Sequence, residues 1–401
     1  MVSVDKDKLC LLSDSEQKLR CDKVRAMMRE NGVDSLLVSD NANVYYLTGR
    51  VFSGYVYIST DSDEPYYAVK RPCHLVGRRI VMIRKPEEMT RMFEGESAIR
   101  PPRRLGLEMG ALSYNAVTRL MKIFPGVEFA DATPVMCAAR AVKTDEEIAK
   151  IRFSGVKHRH LYERIPHLYK EGMRDIELQV EIERTARLEG CLGQFRVAGN
   201  DMELFMGNVL VGENADNPSP YDFAMGGAGM DPSLPVGADG TIIKPGLSVM
   251  VDVNGNFTGY MTDMTRCYAL EPLPERAARA HQLSIDICTE LARMGRPGVE
   301  ARALYERALE MATEAGMAEF FMGHRQHAGF VGHGVGIEIN ELPVIAPRSR
   351  DILAAGNVIA LEPKFVIPGV GAVGIENTYR VTDSGPMERL TGAPEEIIYF
   401  D

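Results

Sequence analysis

Four carboxylates and one imidazole lie inside apolar, strand-like runs in the second half of this chain. Asp252 sits in VMVDVNG, Asp263 in YMTDMTR, His333 in GHGVGIEINE, Glu362 in IALEPKF and Glu376 in VGIENTY. Taken singly, each has an ordinary explanation. A strand Asp is usually a turn or edge residue, a buried-looking His is usually a satisfied core histidine, and Glu362 could face solvent. As a set they resist that explanation, because burying unpaired charge is prohibitively unfavourable. Any fold must therefore gather them around a counter-charge. No comparable set of Lys or Arg is interleaved with them, so a pair of divalent cations is the expected partner. Oxygen-rich ligands with one imidazole suit Mn²⁺, Fe²⁺, Co²⁺ or Zn²⁺. Asp252 and Asp263 are eleven residues apart across NGNFTG, a turn that can bring both to one face of a hairpin.

The rest of the chain frames that cluster. Its 401 residues predict two sizeable domains at roughly 150 residues each. Hydrophobic residues at 45% and charged residues at 25% exclude a disordered or collagen-like chain. Asp and Glu outnumber Lys and Arg by 56 to 46, and a net charge of −10 leaves no footprint for nucleic acid or an anionic membrane. Seven scattered cysteines with no CxxC argue against a disulfide framework or structural zinc and for a reducing, cytoplasmic compartment. The charge-interrupted N-terminus does not read as a signal peptide, and no run approaches a membrane span.

Residues 15–31 carry apolar side chains at helical spacing and end in Asn31-Gly32, a helix stop. Short strand patterns follow (DSLLVS, YVYIS, YYAVK, RRIVMI, RLGLE, VEFADAT), with NVYYLTG after the first and a helical YNAVTRLMKIF before the last. This reads as an α/β domain with a mixed sheet. Thr144 and Glu147 form a capping-box pattern that opens a new helix, so the domains are expected at 1–140 and 141–401. Helices are expected at 145–171, 174–190, 274–294 and 300–316. Long antiparallel-looking strands between them predict an α+β second domain. Residues 207–241, rich in Gly, Pro, Asn and Asp, predict a functional loop.

DVNGNFTGYMTDMTR, GHGVGIEINE, ALEPKF and VGIENTY together resemble the creatinase/prolidase/aminopeptidase P/methionine aminopeptidase family. YYLTG and KTDEEIAKIR extend the likeness to both domains. The separations of 11 (Asp252 to Asp263), 29 (His333 to Glu362) and 14 (Glu362 to Glu376) look most like those of Xaa-Pro dipeptidases and Xaa-Pro aminopeptidases. The resemblance implies an α+β chain in which a creatinase-like N-terminal domain precedes a pita-bread catalytic domain. It implies two divalent ions per chain, Mn²⁺ favoured over Co²⁺, Zn²⁺ or Fe²⁺. Asp252 would chelate one ion, His333 and Glu362 would lie with the other, and Asp263 and Glu376 would bridge them. Glu362 would also accept a proton from the attacking water. The implied reaction is hydrolysis of an amide bond, chiefly Xaa-Pro, in a homodimer.

Two positions depart from the family. Seven residues after His333, where a second histidine is usual, stands Asn340, whose NH₂ could still donate to an oxyanion. A further family histidine would fall at residues 233–235, which read Ser-Leu-Pro. His327 and His324 are candidates to replace these imidazoles, Arg325 to bind a substrate carboxylate, and Tyr221 and Phe223 to line a pocket. His158, His160 and His167 read as a solvated or interface face of one helix. The alternatives to an Xaa-Pro peptidase are a hydrolase of a small non-peptide C–N substrate, like creatinase or an ectoine hydrolase, and a non-catalytic binding protein. Substrates are thus a peptide or small amide, with no nucleic-acid or membrane partner.

Overall fold

The computed structural model describes residues 6–94, 99–199 and 204–401; residues 1–5 of the N-terminal segment lie outside that set. The chain divides into two units, Met1–Arg140 and Ala141–Asp401.

In the first unit, α1 (Asp14–Glu30) starts on Ser13, whose hydroxyl accepts the Glu16 N–H. It precedes β1 (Ser35–Val38), α2 (Asn41–Thr48), β2 (Ser53–Ser59), β3 (Tyr66–Arg71) and β4 (Ile80–Met82). Then follow β5 (Arg104–Leu107), α3 (Tyr114–Ile123), β6 (Glu128–Asp131) and α4 (Thr133–Ala141). The NVYYLT segment is helical because the Asp40 side chain caps it and Gly49, at φ +69°, ends it. One six-stranded sheet, ordered β4-β3-β2-β1-β5-β6, mixes parallel and antiparallel pairs.

The second unit opens with α5 (Asp145–Arg164), on the capping box expected: Thr144 Oγ1 accepts the Glu147 N–H, and Glu147 accepts the Thr144 N–H at 2.9 Å. The helix stops at Arg164, seven residues short of the expected end. Pro166 lacks an amide hydrogen, and the chain tightens into a short 3₁₀ turn there. After α6 (Asp175–Leu188) come β7 (Gly207–Val211), β8 (Val249–Val253), β9 (Gly255–Asn256), β10 (Met261–Thr262) and β11 (Thr265–Ala269). Helices α7 (Glu275–Met294) and α8 (Ala301–Glu314) lead to β12 (Gly332–Gly334), β13 (Glu341–Ile345) and β14 (Val358–Leu361). The chain ends with β15 (Lys364–Ile367), β16 (Gly371–Gly374), β17 (Asn377–Arg380), β18 (Glu388–Arg389) and β19 (Ile398–Tyr399). Two sheets dominate, β19-β11-β8-β7 and β13-β12-β14-β17-β18.

Their cores differ in what covers them. Ile287, Cys288 and Leu291 of α7 pack with Phe365, Val373 and Ile375. Leu161, Leu178 and Ile182 of α5 and α6 pack with Val209, Val249 and Val251. His158 belongs to this interior and not to a solvated face. It is fully buried, with Nδ1 3.0 Å from the Thr262 hydroxyl. Gly255 permits this, since a Cβ there would lie 2.6 Å from the imidazole. His160 and His167 are exposed, as expected. All seven cysteines are free. No helix among the described residues is long and apolar enough to cross a membrane.

Candidate metal centre

Strand register brings the five residues together. In the β8/β11 ladder Asp252 faces Thr265, and in β9/β10 Gly255 faces Thr262. The same register puts Asp263 level with Asn254, two residues from Asp252 and therefore on the same face. In β14/β17, Leu361 faces Asn377, and in β15/β16, Lys364 faces Gly374. The two ladders share one register, which sets Glu362 level with Glu376, while the backbone N–H of Glu362 donates to Val331 and that of Glu376 to Thr265. His333 faces Ala360 on β12, two residues from Glu362.

The result is a nest of donors. One oxygen or nitrogen each from Asp263, His333 and Glu376 lie within 4.8 Å of one another, as do those of Asp252, Glu362 and Glu376. Glu376 is held by the Thr265 hydroxyl, which donates to Oε2 at 2.8 Å. Its backbone carbonyl accepts from Nη1 of the fully buried Arg266 at 2.8 Å. The Thr378 hydroxyl accepts the Asp263 N–H and donates to the Asp263 carbonyl. Tyr162, from α5, ties its hydroxyl to the Met264 carbonyl and the Val253 N–H.

The counter-charge differs from expectation. Lys364 is completely buried, and its Nζ lies 2.8 Å from Asp252 Oδ2, 2.7 Å from Glu362 Oε2 and 3.3 Å from Glu376 Oε2. No set of basic residues matches the carboxylates, as expected, but one lysine does stand among them. The signal was present in the sequence, since in IALEPKF a residue two beyond Glu362 on an extended chain shares its face.

Burial opposes charge at Asp263, Glu376, Glu362 and His333, and the neighbours decide the outcome. Burial, then the Asp252 carboxylate, push Asp263 up to about 7. Burial and then Asp263 raise Glu376 well above the usual carboxylate range. Burial also disfavours ionised Glu362, but the Lys364 ammonium and His333 overcome it and hold this carboxyl at about 2. His333 resists burial through Glu362 and Asp263, which raise it to about 9. Asp263 and Glu376 are therefore the members whose ionised form lacks a sufficient counter-charge. Glu376 Oε1 is buried with no hydrogen-bond partner. This donor set fits a divalent cation held by Asp263, His333 and Glu376, whereas the oxygens of the Asp252 group are already engaged by Lys364.

A cavity opens over the cluster, lined by Asp252, Asp263, His333, Glu362 and Glu376 below and by Phe195, Phe223 and Phe330 among its apolar walls. Phe195 meets Phe223 edge-on at 6.4 Å, and Phe330 meets the His333 ring at 5.8 Å. Asn340 borders the same cavity, but its amide is committed to the backbone of Ala198. Its oxygen accepts the Ala198 N–H at 2.7 Å and its nitrogen donates to the Ala198 carbonyl at 3.0 Å. That side chain holds the segment carrying Phe195, with one N–H of its amide committed to Ala198.

The other expected substrate residues lie elsewhere. His327 and Tyr221 line a neighbouring hollow that shares Asp222–Met225 with the first, and His327 Nδ1 is 2.9 Å from the Phe321 carbonyl. Asp216 takes His324 Nδ1 at 2.8 Å and the Arg325 N–H at 2.9 Å, and the Arg325 side chain is exposed. Gln326 exchanges hydrogen bonds with the Ser219 backbone. Residues 324–326 therefore anchor the long loop, and of that loop's two aromatics Phe223, not Tyr221, reaches the cavity. Residues 233–235 lie outside it, in a turn where Asp231 accepts the Ser233 N–H.

Comparison with known proteins agrees with this architecture. Residues 20–142 match the Creatinase/Prolidase N-terminal domain. An Xaa-Pro dipeptidase of Pyrococcus furiosus is 26% identical over 388 residues, covering 95% of this chain and all of the relative. An Xaa-Pro dipeptidase structure from Bacillus anthracis superposes with a TM-score of 0.79 at 23% identity, covering 96% of this chain and 99% of the other. The prolidase from Pyrococcus horikoshii gives 0.76 at 23%, covering 94% and 99%. The creatinase-type domain is thus followed by the pita-bread fold expected. Residues 149–383, more than half of the chain, match the model of metallopeptidase family M24, and the chain belongs to that family.

Proposed function

We propose that the chain is a metal-dependent hydrolase of Xaa-Pro peptide bonds, with 1–140 and 141–401 as its domains. One observation carries the reading: five acidic and imidazole side chains converge beneath an apolar cavity, with Glu376 Oε1 buried and unsatisfied. Full-length similarity to proteins named Xaa-Pro dipeptidase supports the substrate class. A divalent cation supplies Lewis acidity toward a carbonyl and acidity to water. The ring walls of Phe195, Phe223 and Phe330 accept the proline ring and exclude water from its surroundings. Glu362, kept ionised by Lys364 and His333, accepts the proton of the attacking water and returns it to the leaving secondary amine of proline. Asp263, His333 and Glu376 hold the ion, Mn²⁺ being favoured, and the working form is a cytoplasmic homodimer.

Hydrolysis of Xaa-Pro dipeptides and longer Xaa-Pro peptides with Mn²⁺, abolished by chelation and restored by the ion, is the expected result. Cleavage confined to dipeptides identifies a dipeptidase. A second reading, a small non-peptide C–N substrate, draws on the engaged amide of Asn340 and the missing histidine at 233–235. Turnover of cyclic or guanidino amides with Xaa-Pro peptides left intact would favour it.

A further inference from the structure

The placement of Lys364 bears on how many ions this centre can accept. Nζ offers three hydrogens and meets three carboxylate oxygens, one each from Asp252, Glu362 and Glu376. An ion bonding the same oxygens at roughly 2.0–2.2 Å would occupy the volume of Nζ itself. The lysine is built into the β15/β16 ladder. It follows Glu362 by two residues on one face, and its cross-strand neighbour is Gly374. A side chain at Gly374 would crowd the Lys364 Cα, 3.0 Å from the added Cβ, and the Pro363 carbonyl at 2.7 Å. Lys364 has no exposed surface, so its ammonium cannot leave for water without repacking the strand. It is also absent from the cavity lining, in contrast to all five acidic and imidazole residues, so it does not touch substrate.

We infer that the Lys364 ammonium permanently replaces one of the two cations, so that the centre binds a single divalent ion through Asp263, His333 and Glu376. Lys364 is on this account a positioning residue, fixing Asp252 and Glu362 as an ion otherwise would. The inference rests on the metal dependence proposed above, but its test does not use turnover.

The full-length protein is dialysed to equilibrium against Mn²⁺, and bound metal is counted per chain by plasma mass spectrometry. One ion in the unaltered protein and two in Lys364→Ala are expected. Two ions or none in the unaltered protein overturns the inference, as does a folded Lys364→Ala that still takes one. Electron paramagnetic resonance of the unaltered protein tests the same count without a variant. An isolated Mn²⁺ spectrum, unchanged between one-half and two equivalents, is expected, and an exchange-coupled pair refutes the claim. A one-ion protein without Xaa-Pro activity would sink the proposed function alone. A two-ion protein that cleaves Xaa-Pro peptides would sink this inference alone.

Discussion

Replacing Thr265 by Val removes one hydroxyl from beneath the centre and leaves its volume almost unchanged. That hydroxyl donates to Glu376 Oε2 at 2.8 Å, and Lys364 Nζ, at 3.3 Å, is the more distant donor to the same oxygen. Thr265 is fully buried, so water cannot substitute for the lost donor. A hydrogen bond to a charged group contributes about 1.5–3 kcal/mol. At about 1.4 kcal/mol per tenfold, losing the orientation it gives to Glu376 should weaken Mn²⁺ binding on the order of 10–100-fold. Partners that orient metal ligands elsewhere show effects of the same size. Affinity would be measured by calorimetric titration or chelator competition, and urea unfolding without metal would report the cost to the fold. Thr265→Ser should restore most of the affinity. A Val variant that binds Mn²⁺ within about threefold of the unaltered protein would refute the reasoning and show that Glu376 is fixed by the backbone alone.

Glu362→Gln should lower kcat by about 10²–10⁴-fold, the range for removing a proton acceptor, with unchanged circular dichroism; retained turnover would place that role elsewhere. Lys143 and Glu341 form a buried pair at 2.9 Å, and Glu341 also accepts the N–H groups of Ile337 and Glu338. Lys143→Met should cost about 3–5 kcal/mol in urea unfolding because it removes the ammonium facing a buried carboxylate. A loss under about 1 kcal/mol would contradict that reading. Burial, with Arg266 adding to it, lowers His158 to about 3 from 6.5. The unfolded chain therefore binds this proton first as pH falls. Stability should drop by about 1.4 kcal/mol per pH unit between 6.5 and 3 on this account. His158→Asn should flatten the slope by one proton, and an unchanged slope would show that the imidazole is not neutral in the fold.

What could be read from the sequence depended on period and neighbourhood. Alternation on extended chains was enough to gather Asp252 with Asp263 and Glu362 with Glu376, because register preserves the facing of every second residue. Lys364 obeys the same rule, but a lysine is not a ligand type, and only the whole face of the strand reveals it. His158 was misplaced because its burial depends on Gly255, about a hundred residues away, which no helical pattern reveals. Asn340, Arg325 and His327 were assigned from position relative to His333. Their actual partners, Ala198, Asp216 and Phe321, are set by tertiary folding of loops. The early end of α5 was local and readable, since Pro166 announces it.

The floor and the wall of the cavity are secured by separate means. Backbone ladders and Arg266 fix the ligands, while the Asp216, Gln326 and Asn340 side chains tether the loops that bring Phe223 and Phe195 to the rim. Substitutions in those tethers can reshape the rim without disturbing a single rung of the ladders. Selection for a new leaving group would therefore find a route that keeps the hydrolytic chemistry intact, and lineages sharing this floor are free to diverge in diet while conserving their cutting edge.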